Sequence, residues 1–105
     1  MNEHTKLPDT VFQSPDTSRA RTTEQDASAG GRKNRVVTTT DGRMLLASIA
    51  LKRVKSPYRA WAYLRYKDRR TVTRYIGNAT ADTRAEALEI AWRIAHSRGL
   101  LRPKD

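Results

Sequence analysis

The chain has 105 residues and no cysteine, and its 21 Lys/Arg against 11 Asp/Glu give a net charge of +10. That length bounds one small domain with a tail, and the absence of cysteine excludes a disulfide scaffold and a Cys-ligated zinc site. The longest mostly apolar run, 44–51, is too short to span a bilayer, and the first thirty residues lack a signal-peptide core. The sequence therefore points to a cytoplasmic or nucleoid-associated protein without a membrane partner.

The charge is unevenly placed. Residues 1–30 hold three Lys/Arg and five Asp/Glu, a net −2, whereas residues 31–105 hold eighteen against six, a net +12. A compact segment with that excess repels itself unless a polyanion is its usual partner, which favours nucleic acid.

Residues 1–31 are rich in Thr, Ser, Asp and Gln with scattered apolar side chains, a composition that predicts a disordered leader. Residues 32–35 read as a basic hinge, and the folded domain is expected over 36–105. A short β-branched strand at 36–40 precedes Asp41-Gly42, a dipeptide suited to a two-residue hairpin turn, and a partner strand starts at Arg43. Over 44–54, alternation places Leu45, Ala47, Ile49 and Leu51 on one face; this suits a strand, although the Met, Leu and Ala content also suits a helix.

Pro57 marks a break, and the next run, "YRAWAYLRY" at 58–66, alternates strictly. Ala60, Ala62 and Leu64 share one parity, and Arg59, Trp61, Tyr63 and Arg65 the other. A polar turn at 67–70 leads to a return strand at 71–76 and a loop at 77–82. A helix follows: Thr83 and Glu86 have the spacing of a capping box, and Leu88, Ala91, Trp92 and Ala95 form one stripe. Gly99 and Leu100 fit a C-terminal cap. The result is an α+β fold, a small antiparallel three- or four-stranded sheet packed on one C-terminal helix. If Ala60, Ala62 and Leu64 meet that helix, the other parity faces outward.

The residues suggest no chemistry. His4 and His96 are isolated, Asp41 and Asp68 fall in turns, Asp82 and Glu86 belong to the helix start, no acid pair suggests acid/base work or a metal site, and no phosphate loop or nucleophile elbow is present. The expectation is a non-enzymatic protein with no catalytic residue, metal or cofactor. The outward face instead suits nucleic acid. Arg59, Trp61, Tyr63 and Arg65 supply guanidinium forks and aromatic surface, and Arg53 and Lys55 extend the patch. Lys67, Arg69 and Arg70 crowd the turn, and Thr73 and Tyr75 lie beside the aromatic row. A competing reading has Trp61 and Tyr63 covering a second small core, with the arginines merely solvated.

The run from Tyr58 to Ala95 resembles two related groups of domains. These are the arm-site-binding amino-terminal domains of tyrosine-recombinase integrases and the plant ethylene-response-factor DNA-binding domain. Trp61 and Arg65 match the DNA-facing positions of the central strand, and Ala62 and Leu64 its core positions. Ile76-Gly77 matches the strand end, and Thr83 to Ala87 the helix opening. The resemblance covers roughly 44–98. It implies three antiparallel strands on one helix, with the sheet in the major groove of double-stranded DNA. The first strand departs from the plant pattern by being more apolar, and no recombinase catalytic domain accompanies the motif. What is implied is a free-standing module, such as a regulatory or accessory factor of a phage or mobile element. Two alternatives stay open. One is RNA or single-strand binding through the same aromatics. The other is a protein-interaction or inhibitor module on an acidic partner, with Ala87, Ile90 and Ile94 of the helix free for such contacts or for a homodimer.

Overall fold

The computed structural model describes residues 6–54 and 56–102. Among them run the strands β1 (Val36–Thr38), β2 (Met44–Leu46), β3 (Ser48–Lys52), β4 (Trp61–Asp68) and β5 (Arg70–Asn78), with helices α1 (Ser18–Ala29) and α2 (Arg84–Ser97). β1 and β2 form an antiparallel ribbon, and β3-β4-β5 an antiparallel sheet in that order. The expected α+β fold is present, with one division not foreseen: the strand at 44–54 breaks at Ala47, giving β2 to one sheet and β3 to the other. Its alternation survives the break, because Ala47, Ile49 and Leu51 are buried on one side.

The hairpin at Asp41-Gly42 is wider than a two-residue turn. Thr39 N–H donates to the Arg43 carbonyl at 2.9 Å and Gly42 N–H to the Thr39 carbonyl at 3.0 Å, which leaves three residues in the loop. Gly42 takes the left-handed position, at φ +87°, that closes such loops. β4 starts at Trp61, so Arg59 precedes the strand, and β5 extends to Asn78. An irregularity in the pairing falls there: Ala62 pairs with Gly77 but Tyr63 with Tyr75, leaving Ile76 as the extra residue of a bulge. Gly77, at φ +148°, supplies the backbone freedom this needs.

α2 begins and ends as its sequence dictates. Thr83 Oγ1 accepts from Glu86 N–H at 3.2 Å, the one half of the capping box that forms. Leu100 N–H reaches the Ala95 carbonyl at 2.9 Å and Gly99 N–H the His96 carbonyl at 3.0 Å, which closes the last turn. The stripe Leu88, Ala91, Trp92 and Ala95 is buried in the same cluster as Ala60, Ala62, Leu64, Ile49 and Ile76. Each fully buried large side chain contributes about 1.5–3 kcal/mol. Alanines opposite the helix let it approach closely, and Trp92 takes up the volume.

The expected disordered leader and hinge give way to ordered structure over residues 6–35; residues 1–5 lie outside the described residues. Leu7 and Val11 join the core, Leu7 N–H donates to the Pro57 carbonyl at 3.0 Å, and residues 9–12 form a short 3₁₀ turn. α1 then packs beside α2. Its one buried side chain is Gln25, whose amide accepts from Ile49 N–H at 2.9 Å and donates to the Ile49 carbonyl at 3.0 Å. Gln25 thus mimics a neighbouring strand and closes the edge of β3.

The supposed hinge is a second 3₁₀ turn, Arg32–Arg35, and Arg35 is 3% exposed. Its guanidinium donates to the Ala47 carbonyl at 2.9 Å, Ser48 Oγ at 3.1 Å and Asp26 Oδ1 at 2.6 Å. Composition does not reveal this order because α1 is held by polar and charged contacts rather than by an apolar stripe. Ala87 is buried, and Ile90 and Ile94 are half-buried against the core, so α1 covers much of the helix edge that had looked free for a partner.

Removing a buried, fully bonded charge costs far more than removing an exposed one. Arg35→Ala should lower the urea-unfolding free energy by about 3 kcal/mol. Arg32→Ala, whose side chain pairs with the same Asp26 but is 62% exposed, should cost less than about 1 kcal/mol.

Candidate nucleic-acid interface

Cross-strand pairing fixes the outer face of the sheet. Lys52, Trp61 and Asn78 stand in one row, Ala50, Tyr63 and Tyr75 in the next, then Ser48, Arg65 and Thr73, and finally Lys67 with Thr71. None of these residues is a carboxylate. The even positions of β4 point the other way, with Ala62 and Leu64 fully buried, so packing against α2 is what forces Trp61, Tyr63 and Arg65 outward.

The aromatics form a cluster of their own. Tyr75 lies 5.5 Å from Tyr63 in an edge-on arrangement and 6.3 Å from Trp61, and Lys52 Nζ sits 5.3 Å from the Tyr63 ring centre. Trp61 and Tyr63 are half-buried and do not belong to the core cluster under α2. The Trp61 Nε1–H is buried without an acceptor, which turns the polar edge of the indole inward and leaves carbon surface outward. Among the described residues, the exposed large hydrophobics are Met44, Leu46, Val54 and Tyr75. Met44 and Leu46 are the exposed positions of β2, in the two-stranded sheet, whereas Tyr75 stands on the outer face of β3-β4-β5.

The predicted cations divide into two sets. The side chains of Arg59, Arg65, Lys67, Arg69 and Arg70 make no hydrogen bond or ion pair with any described residue, and all five residues are exposed. Arg53 is committed elsewhere: it donates to the Leu7 carbonyl at 3.1 Å, pairs with Asp9 at 2.6 Å and lies 4.4 Å from the Phe12 ring centre. Lys55 lies outside the described residues. Thr73 and Tyr75 are exposed beside Arg65 and Tyr63. Arg74, on the inner parity, donates to the Leu100 carbonyl at 2.7 Å. His96, set aside as a ligand, hydrogen-bonds the Asn34 carbonyl at 2.8 Å.

Arg43 was not foreseen as part of the site. Its guanidinium bonds Asp41 at 3.0 Å and Asp68 at 2.8 Å, which ties the β1–β2 loop to the end of β4. The Asp41 carboxyl is held down at about 2 by the Thr39 hydroxyl first and Arg43 second. Asp26 is likewise lowered, by hydrogen bonds from Arg32 and then Arg35. Arg43 engages both acids near the basic turn, and neither acid makes an ion pair with Lys67, Arg69 or Arg70.

A cleft of about 490 Å³ opens between α1 and the β3 side of the sheet, lined among others by Arg21, Gln25, Ser48, Arg65 and Tyr66. No group of three or more His, Cys, Asp or Glu suited to a metal ion occurs among the described residues. No helix there is long and apolar enough to cross a membrane. No protein-family model matches the chain, and neither a curated protein nor a solved structure matches it.

At the tip of the β4–β5 hairpin, Arg69 alone separates Asp68 from Arg70 and adopts φ 68°. A non-glycine residue in that region costs about 1 kcal/mol or more, and such strain concentrates where a side chain is needed for function. Arg69→Gly should raise the urea-unfolding free energy by about 0.5–1 kcal/mol. A destabilised Arg69→Gly would mean that the turn depends on this side chain for its fold.

Proposed function

We propose that the protein binds double-stranded DNA through the outer face of β3-β4-β5. The observation that carries this reading is one surface holding partnerless arginines and lysines, an aromatic cluster and no carboxylate. A solvated face needs charge but gains nothing from exposed rings, whereas a nucleic-acid surface uses both. Guanidinium groups reach phosphates or guanine edges, and carbon-rich ring surface packs on sugars and thymine methyls. The resemblance to sheet-reading DNA-binding domains points the same way, and the three strands on α2 have the architecture it implies.

Duplex is preferred over single strands because of how the rings are arranged. Stacking of unpaired bases requires open ring faces. Here Tyr63 meets Tyr75 edge-on, Lys52 approaches the Tyr63 ring, and Trp61 leans on Tyr75. The cluster offers a ridge more readily than a set of separate stacking platforms. The strand pair has dimensions suited to a major groove about 12 Å wide.

Five partnerless cations engaging phosphates would give a log–log dependence of affinity on salt of about −4 to −5. In fluorescence anisotropy with labelled duplex, Arg65→Ala should lower that slope by about one unit if it meets a phosphate. Trp61→Ala should weaken binding by about tenfold at unchanged slope, with circular dichroism unaltered in both variants. Undiminished affinity in both would remove the sheet face from the interface. Stronger competition by unpaired oligonucleotide than by duplex would favour the single-strand reading.

A further inference from the structure

The cleft of about 490 Å³ beside α1 continues the outer face of the sheet. Ser48, Ala50, Arg65 and Thr71 line it, and all four stand in the cross-strand rows of that face. The facing wall is α1, whose lining residues Ser18, Arg21, Thr22 and Gln25 fall at i, i+3, i+4 and i+7 and so share one stripe of the helix. The volume lies within the roughly 300–1,000 Å³ of ligand-sized clefts.

Its charge suits an anion. Among the described residues, four arginines line the cleft against one carboxylate, Glu24, which Arg84 engages at 2.8 Å. Arg35 is likewise committed to Asp26. Two guanidinium groups keep an uncompensated charge, Arg65 on the sheet and Arg21 on the helix. Arg21 donates to the Pro15 and Asp16 carbonyls, both at 3.0 Å, and to Ser18 Oγ at 3.2 Å. These acceptors fix the group in place, and no described acid pairs with it.

We propose that this cleft seats the backbone of one DNA strand, with Arg21 and Arg65 on its phosphates and the Ser18 and Thr22 hydroxyls as further donors. This rests on the DNA-binding reading above and adds α1 to the interface. A strand lying along the outer face meets α1 at the β3 edge, because Gln25 fixes the helix level with Ile49. Two unneutralised cations lining one cleft repel each other until an anion is seated there, and phosphate oxygens accept charge-assisted bonds from both. Leu46 and Ala50, in the same lining, offer carbon surface to the sugars. A free nucleotide shares this chemistry but ends with the cleft. The face runs on from Ala50 to Tyr63 and, one row further, to Trp61, which a polymer can follow.

The test is fluorescence anisotropy of the full chain with labelled duplex across a salt series. Arg21→Gln, which keeps an amide donor but loses the charge, should lower the log–log slope by about one unit. Ser18→Glu sets an acid against Arg21, in the first turn of α1 where an acid suits the helix, and should weaken binding by about tenfold. Ala20→Glu makes the same change of charge in the same turn, on an exposed residue off the cleft-lining stripe, and should bind nearly as the wild type does. Three results would overturn the cleft while leaving sheet binding intact. They are equal weakening by the two glutamates, an unchanged slope with Arg21→Gln, or a free deoxynucleoside monophosphate competing as well as unlabelled duplex at matched phosphate. Absence of any duplex binding would overturn the DNA-binding reading itself, and the cleft with it.

Discussion

The Arg35 guanidinium, buried where β2 becomes β3, holds the rest of the structure in register. It bonds the backbone at Ala47, the hydroxyl of Ser48 and the carboxylate of Asp26, and so joins a polar helix to the bend in a strand. Gln25, one residue from Asp26, then lies level with Ile49 and pairs with its backbone. A buried guanidinium is tolerable only when its donors are satisfied, and the bend at Ala47 supplies the carbonyl that does so. With α1 fixed there, one edge of the sheet and one flank of α2 are both closed.

That closure determines which surfaces remain. The inner face of the sheet is occupied by α2, the β3 edge by Gln25, and the carbonyls of Tyr75 and Ile76 on β5 by Arg98. Charge is distributed to match. The acids of the leader meet arginines of the basic domain at Asp9–Arg53, Asp26–Arg35 and Glu24–Arg84, whereas Arg65, Lys67, Arg69 and Arg70 make no ion pair with any described acid. The split between an acidic amino-terminal segment and a basic remainder is therefore partly an internal pairing; of the cations it leaves without a partner, Arg65, Lys67, Arg69 and Arg70 belong to β4, β5 and their turn, and others such as Lys33 and Arg93 lie on other elements. A sheet that displays Trp61, Tyr63, Tyr75 and Arg65 on its outer face is suited to a polyanion that also offers carbon surface.

The parts legible in the sequence were those written in periodicity. Alternation over 60–65 separated the buried alanines from the outward aromatics, and the 3.6-residue stripe with Thr83 and Gly99 delimited α2 closely. The leader was not legible by the same means. In α1 the buried side chain is a glutamine, and what fixes the helix is ion pairing to residues distant in sequence, which neither composition nor hydropathy encodes. Thr17 and Gly30, in cap positions at its two ends, were the local signals available. Arg53 illustrates the same limit within the site: its type and place in the chain suited DNA, but Asp9 and Phe12 already engage it. Conversely, Arg43 reaches the β4–β5 turn only through Asp68, a contact between two turns that no local pattern anticipates.

The chain has two indoles, Trp61 on the outer face and Trp92 under it, and their Nε1–H resonances report separately on the two sides of the sheet. The most direct test of the account is to titrate the isotopically labelled full chain with duplex DNA and follow both signals together with the backbone amides. The Trp61 signal and the amides of Tyr63, Arg65, Thr73 and Tyr75 should move while the Trp92 signal stays in place. Movement confined to α1 or α2, with Trp61 unperturbed, would contradict it.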